Sequence, residues 1–299
     1  MLYDKPPLTI EDQIMLLEQR GLIITKKEKV ENYLSHISYY RLRAYTFPYQ
    51  NNSDSNHPFK SNISFDKILD DYIFDRKLRL ILFDAIEKVE IALRTQLIYH
   101  YSLKYGGHWF EDVSLFSNPL HHQNDLVQVD KELKRSQEQF ITHYKSKYSN
   151  PDRPPAWMTL EILSFGTLSK MFENLNRCPE KKAIAKHFGL DIVIFESWLH
   201  HISVVRNICA HHARLWNREI PSAPRLPKRA HNAWIADNTT LRANKIYSSI
   251  CCLRYLLNVI SPNNNFKVKL VDLLQSYPDI NLRAMDFQPD WQKEFLWLL

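Results

Sequence analysis

Residues 64–102 read SFDKILDDYIFDRKLRLILFDAIEKVEIALRTQLIYHYS, and neither proline nor glycine interrupts them. Apolar side chains recur at Ile68, Leu69, Tyr72, Ile73, Ile81, Leu82, Ala85, Ile86, Val89 and Leu93. That spacing lays one apolar face along a long helix, which Gly106-Gly107 ends. The rest of the chain agrees with this element. Only 5 of the 299 residues are glycine, whereas a β-sandwich or a doubly wound α/β fold needs many tight turns. The expected fold class is all-α, a helical bundle with an N-terminal helical hairpin and additional C-terminal helices.

Upstream, Lys5-Pro6-Pro7 is an extended lead-in. Thr9 reads as an N-cap with Asp12 three residues on, and Gly21 stops that helix. Thr25 and Glu28 form a capping box opening a helix through Tyr33 and Ile37, and the segment from Ser38 to Tyr45 is aromatic and basic. Two short helices around a turn read as a hairpin packed on the main body or, alternatively, as a DNA-reading helix-turn-helix. Residues 50–62 are polar and turn-rich, a mobile loop or joint, which divides the chain into 1–62 (hairpin and linker) and 63–299 (main helical domain).

Downstream, residues 108–125 form an irregular connector, and a polar helix spans about 126–147. Pro151 to Pro155 breaks the chain before a helix carrying Trp157, Leu160, Leu163 and Leu168. A helix over 179–188 closes at Gly189, and Asp191 caps the next long helix. Proline crowding at 221–227 precedes helices near 240–260, 266–276 and 290–299.

The balance of 39 Lys and Arg against 33 Asp and Glu gives a net charge of +6. That leans towards an anionic partner such as nucleic acid. The cysteines Cys178, Cys209, Cys251 and Cys252 form no C-x-x-C pair, so a reducing cytoplasm is expected. No charged-then-apolar leader opens the sequence, and the apolar stretch 246–260 is short and carries Arg254, so no membrane association is expected.

The densest chemistry lies in Val205-Arg206-Asn207-Ile208-Cys209-Ala210-His211-His212-Ala213-Arg214-Leu215-Trp216-Asn217-Arg218. On a helical wheel over 191–217, Phe195, Trp198, Leu199, Ile202, Cys209, Ala213 and Trp216 share an apolar arc. Glu196, His200, Ser203, Asn207 and His211 share a polar one. Arg206 projects near the centre of the apolar arc, where a guanidinium needs a partner: Glu87 or Glu90 on the first long helix, or a bound phosphate. Arg206 and His211 stand about 140° apart, so a site using both is made between helices or between two copies of the chain. Among thirteen histidines, His200 and His211 share a stripe but lie about 16 Å apart, and the adjacent pairs diverge, so no metal site and no cofactor is expected.

The run from Arg206 to Arg218 closely resembles the signature of the Abi-like (AbiD/AbiF) abortive-infection proteins, bacterial phage-resistance proteins of the HEPN superfamily. Lys5-Pro6-Pro7-Leu8-Thr9, Ile37-Ser38-Tyr39-Tyr40-Arg41-Leu42, Glu87-x-x-Glu90-x-x-x-Arg94 and Trp157-Met158-x-Leu160-Glu161-x-Leu163-Ser164-Phe165-Gly166 resemble the family in the same order. The resemblance implies an α-helical HEPN fold and metal-independent endoribonuclease activity, with Arg206, Asn207 and His211 as the catalytic set. Glu87, Glu90 and His212 would support it, with His212 packing on Trp216. A second HEPN unit usually completes the site, which makes a homodimer the expected form; Arg94 to His100 is the alternative internal half. Candidate RNA contacts are Arg214 and Arg218, with Arg225, Lys228 and Arg229 in the basic, proline-rich segment. RNA is the implied substrate, and a structured noncoding RNA is an expected antitoxin partner. The competing readings are a non-catalytic RNA-binding partner in a toxin–antitoxin complex and a DNA-binding regulator using the N-terminal hairpin.

Overall fold

The computed structural model describes residues 6–228 and 230–298, and all regular elements among them are helical apart from isolated bridges. In chain order they are α1 (Ile10–Gln19), α2 (Lys27–His36), α3 (Tyr39–Thr46), α4 (Phe65–Tyr105), α5 (Pro119–Arg135), α6 (Gln139–Lys147) and α7 (Ala156–Thr159). There follow α8 (Phe165–Asn174), α9 (Pro179–His187), α10 (Ile192–Ala210), α11 (Ile246–Ile260), α12 (Phe266–Ser276) and α13 (Phe295–Leu298). The all-α expectation holds. No single described helix is long and apolar enough to cross a membrane.

Helix α4 is the axis. Its first turn is closed by the Ser64 hydroxyl, which accepts the Lys67 N–H, and its last by Gly106 at φ +86°. Its 41 residues run about 60 Å, enough for α3, α8, α9, α10, α11 and α12 all to pack along it. The buried face is not the purely apolar one expected. Tyr72, Ile73 and Ile81 are half-buried, while Phe74 and Leu78 are buried together with Asp71, Asp75, Arg79 and Arg94.

Each buried charge has partners, as desolvation demands. Asp71 accepts from the Tyr49 hydroxyl at 2.7 Å and from Lys67 Nζ at 2.6 Å. Asp75 pairs with Arg79 and accepts the Tyr45 hydroxyl at 2.6 Å. Arg94 donates to the carbonyls of Leu160 (2.9 Å) and Leu163 (3.3 Å) and pairs with Glu90 at 3.0 Å. Two segments that carry the family resemblance are thereby clasped together. Tyr45 and Tyr49 come from the N-terminal segment, so α3 and its following turn are bonded to α4. The 50–62 loop is stitched down at both ends: Asn51 donates its N–H to Pro58 O at 2.8 Å, Phe59 donates to Arg20 O at 2.6 Å, and just beyond it Ile23 donates to Ile63 O at 2.9 Å.

Several boundaries differ from the sequence reading. Thr9 caps α1 as expected, but α2 begins behind Lys26, and Thr25 provides no cap. The polar helix starts earlier, with Asn118 capping and Pro119 in the first turn, and it breaks at 136–138 into α5 and α6. The segment with Trp157 and Leu168 is likewise two helices, because Ser164 caps α8 afresh.

His201 shows what the adjacent histidine pairs do. It is fully buried, with Nδ1 2.9 Å from Ser222 Oγ and Nε2 2.7 Å from Ser249 Oγ, and so pins α10 to α11 and the proline-rich segment. Burial lowers its pKa from 6.5 to about 4. The unfolded chain therefore binds a proton that the folded chain refuses between these values, and stability falls as pH drops through that window, by roughly 3 kcal/mol in full. Urea unfolding at pH 7.5 and 4.5 should show this loss, and His201→Gln should remove most of its pH dependence. An unchanged slope in the variant would assign the acid sensitivity elsewhere.

Candidate active site

Helix α10 does not run on to residue 217 as the wheel assumed. It ends at Ala210 in a Schellman turn: His212 N–H donates to Cys209 O and Ala213 N–H to Ile208 O, each at 3.0 Å. His212 occupies the left-handed position, φ +56°, that glycine usually takes. The chain then turns onto α4. Asp75 Oδ1 accepts the backbone N–H of Leu215 at 3.1 Å and of Trp216 at 2.7 Å, which satisfies two buried donors of an irregular loop. Helix α3 closes over the same loop. Arg214 Nη1 donates to Ala44 O at 2.6 Å, Arg41 Nη1 donates to His212 O at 2.8 Å, and Tyr49 stacks on Trp216 with ring centroids 6.2 Å apart.

These contacts leave a shallow pocket of about 500 Å³ lined by Tyr40, Arg41, His211, His212, Arg214 and Arg218 among others. No carboxylate among the described residues lines it. His211 is exposed at the C-cap of α10, its N–H held by Asn207 O at 3.0 Å. Three guanidinium groups around two imidazoles make the pocket suited to an anion.

Arg206 and Asn207 face elsewhere. Arg206 is half-buried with its guanidinium 5.7 Å from the centre of the Phe83 ring, a cation–π arrangement. No carboxylate among the described residues comes within ion-pair distance of it. Glu87 is exposed, and Glu90 pairs with Arg94, although the Arg206 charge lies close enough to counter part of the upward push of burial on the Glu90 pKa. Of the two partners considered for Arg206, a glutamate or a bound phosphate, the direct glutamate pair is therefore absent among the described residues. Asn207 is exposed on a cleft between α5, α8 and α10. One copy of the chain thus points the three candidate side chains to three surroundings.

The remaining candidates sort by geometry. Arg94 is buried and saturated by backbone carbonyls and Glu90, so it is not free to hold a phosphate, and the internal second half from Arg94 to His100 falls away. His212 does not pack on Trp216; its backbone turns the chain and its side chain is exposed beside His211. Arg214 and Arg218 line the pocket, but Arg214 is engaged with Ala44 O and Arg218 Nη1 with Arg214 O at 3.1 Å. Arg225 and Lys228 are exposed, away from this pocket, and Arg229 lies outside the described residues. Among the described residues no three His, Cys, Asp or Glu side chains converge as a metal-ligand set.

Three contributors escaped the sequence reading. Asp75, which organises the loop, looked like one more solvent-facing charge on a long helix. Arg41 and Tyr40 stood in an aromatic, basic segment that also carries the family resemblance, but nothing in the pattern placed that segment against His211, 170 residues after Arg41.

A family model described as Abi-like protein matches residues 32–217, from α2 through the loop held by Asp75. No curated protein and no solved structure matches the chain.

Proposed function

The chain belongs to the Abi-like family, well over half of it being matched, and from that premise we propose that it is a metal-independent endoribonuclease acting in abortive infection, a toxin-like arm of phage defence with a HEPN-type fold. The observation that carries this reading is the pocket at the end of α10: an exposed His211 among arginines, with no carboxylate among the described lining residues. RNA can be cut there by its own 2′-OH. A base removes the 2′-OH proton as oxygen attacks phosphorus, an acid protonates the departing 5′-oxygen, and a cation holds the phosphorane charge. The products are a 2′,3′-cyclic phosphate and a 5′-OH.

His211 is one member of the acid–base pair and His211 of a second copy the other; Arg206 clamps the phosphate and Asn207 orients it. The divergence of these side chains in one copy agrees with a homodimeric, composite site. The same divergence favours the second reading, an RNA-binding partner without catalysis, held with a structured noncoding RNA.

The deciding experiment incubates the full chain with a total bacterial RNA pool in excess EDTA. Cleavage that leaves cyclic-phosphate ends is expected, with a dimer by light scattering. RNA retained but uncut would move the assignment to the binding partner, and cleavage by a strict monomer would overturn the composite site.

A further inference from the structure

The cleft that receives Asn207 has chemistry of its own. Its volume is about 970 Å³, room for a nucleotide. Helix α5 contributes His121, Asn124, Asp125 and Gln128, α8 contributes Lys170, and α10 contributes His200, Ser203 and Asn207. Asp125 is 7% exposed, and its Oδ2 is fully buried with no hydrogen-bond partner. An unpartnered carboxylate oxygen in a folded core is costly, and natural proteins keep few of them. The buried carboxylates of α4, Asp71 and Asp75, are both satisfied, which sets Asp125 on α5 apart.

We propose that this cleft binds a guanine base, with the Asp125 side chain, one of the cleft-lining residues, rotating to bring its buried, unpartnered Oδ2 to the cleft surface so that the carboxylate accepts the N1–H and N2–H edge while Lys170 and the neighbouring amides face O6 and N7. Guanine alone among the four RNA bases offers two adjacent N–H donors on one edge and two acceptors on the next, and a lysine is an established partner for O6 and N7. Adenine and cytosine turn a ring-nitrogen acceptor towards the carboxylate, and uracil flanks its single N–H with two oxygens. A second cation would meet the charge of Lys170.

Burial raises the Asp125 pKa from 3.8 to about 6, against the opposing charges of Lys170, His122 and His121. Glu173 and His200 line the same cleft. The carboxylate is thus ionised at neutral pH at some expense to stability, and base binding should weaken as pH falls below about 6. As a statement about RNA, the inference rests on the ribonuclease reading and places a guanosine beside the cleaved bond. As a statement about guanine binding, it does not.

The probes are guanosine, inosine and adenosine 5′-monophosphates, titrated calorimetrically into the full chain. One guanosine monophosphate per chain is expected. Inosine monophosphate, which lacks the N2 amine, should bind at least about tenfold more weakly, and adenosine monophosphate should show no saturation. Asp125→Asn should lose at least about tenfold in guanosine monophosphate affinity while melting no lower than the native chain, and Lys170→Met should lose affinity independently. Equal binding of the three nucleotides, an unaffected Asp125→Asn, or no saturation by guanosine monophosphate at millimolar concentration would overturn the proposal. Binding without RNA cleavage would leave the pocket standing and remove the ribonuclease; cleavage with no guanosine at the cut sites would leave the ribonuclease standing and overturn the placement of a guanosine beside the cleaved bond.

Discussion

Replacing His211 by alanine should lower RNA cleavage by about a thousandfold, the usual worth of a positioned acid–base group, with the folded state intact. The expectation of intact folding comes from geometry. The imidazole is exposed, and the C-cap is secured by backbone hydrogen bonds that alanine retains. The stability change should stay within about 0.5 kcal/mol, as at other surface positions. Arg206→Ala should abolish cleavage to a similar degree but also lose the contact with Phe83, worth about 0.5–1 kcal/mol at a partly exposed site. Single-turnover cleavage read beside a urea melt separates the two effects. A His211→Ala protein that still cuts at the native rate would remove this residue from the chemistry altogether.

Asp75→Ala should have the largest effect on folding. It leaves Arg79 buried beside a vanished partner and frees the Tyr45 hydroxyl and the Leu215 and Trp216 N–H groups together. Breaking a buried ion pair from one side costs about 3–5 kcal/mol, against a total stability of about 5–15 kcal/mol for an ordinary domain. Asp75→Asn, which keeps an acceptor oxygen for the loop, should lose less. Equilibrium urea unfolding ranks the two variants against the native chain; an Asp75→Ala midpoint equal to the native one would mean that solvent or a neighbouring side chain replaces the carboxylate.

The helical class, the axis from Ser64 to Gly106 and the turn at Gly189 were legible because caps, glycines and apolar spacing act locally. What stayed hidden was non-local. Pattern reading assigns charges to solvent, and therefore misses Asp71, Asp75 and Arg79, whose burial is possible only because Tyr49, Tyr45 and the 213–216 loop reach them. The end of α10 at Ala210 carries no glycine or proline signal. The helix stops because His212 accepts a left-handed turn and because Asp75 takes the next free N–H groups, so a wheel drawn through residue 217 placed Ala213 and Trp216 on an arc that does not exist. The Arg206–His211 pair was recognisable as a candidate, and its context in the chain was the informative part. Where each side chain faces was not, since that depends on Phe83, on α5 and α8, and on α3.

The hold of Asp75 on Leu215 and Trp216 also sets the unit in which this site can be transplanted. The run from Arg206 to Arg218 looks self-contained in print, yet its shape after Ala210 is borrowed from a carboxylate 140 residues earlier and from the α3 arginine and carbonyl that grip it. A graft of that run onto another helix would carry the lettering and leave the conformation behind. The portable module is discontinuous: α3, the stretch of α4 around Asp75 and Arg79, and the end of α10, moved together or not at all.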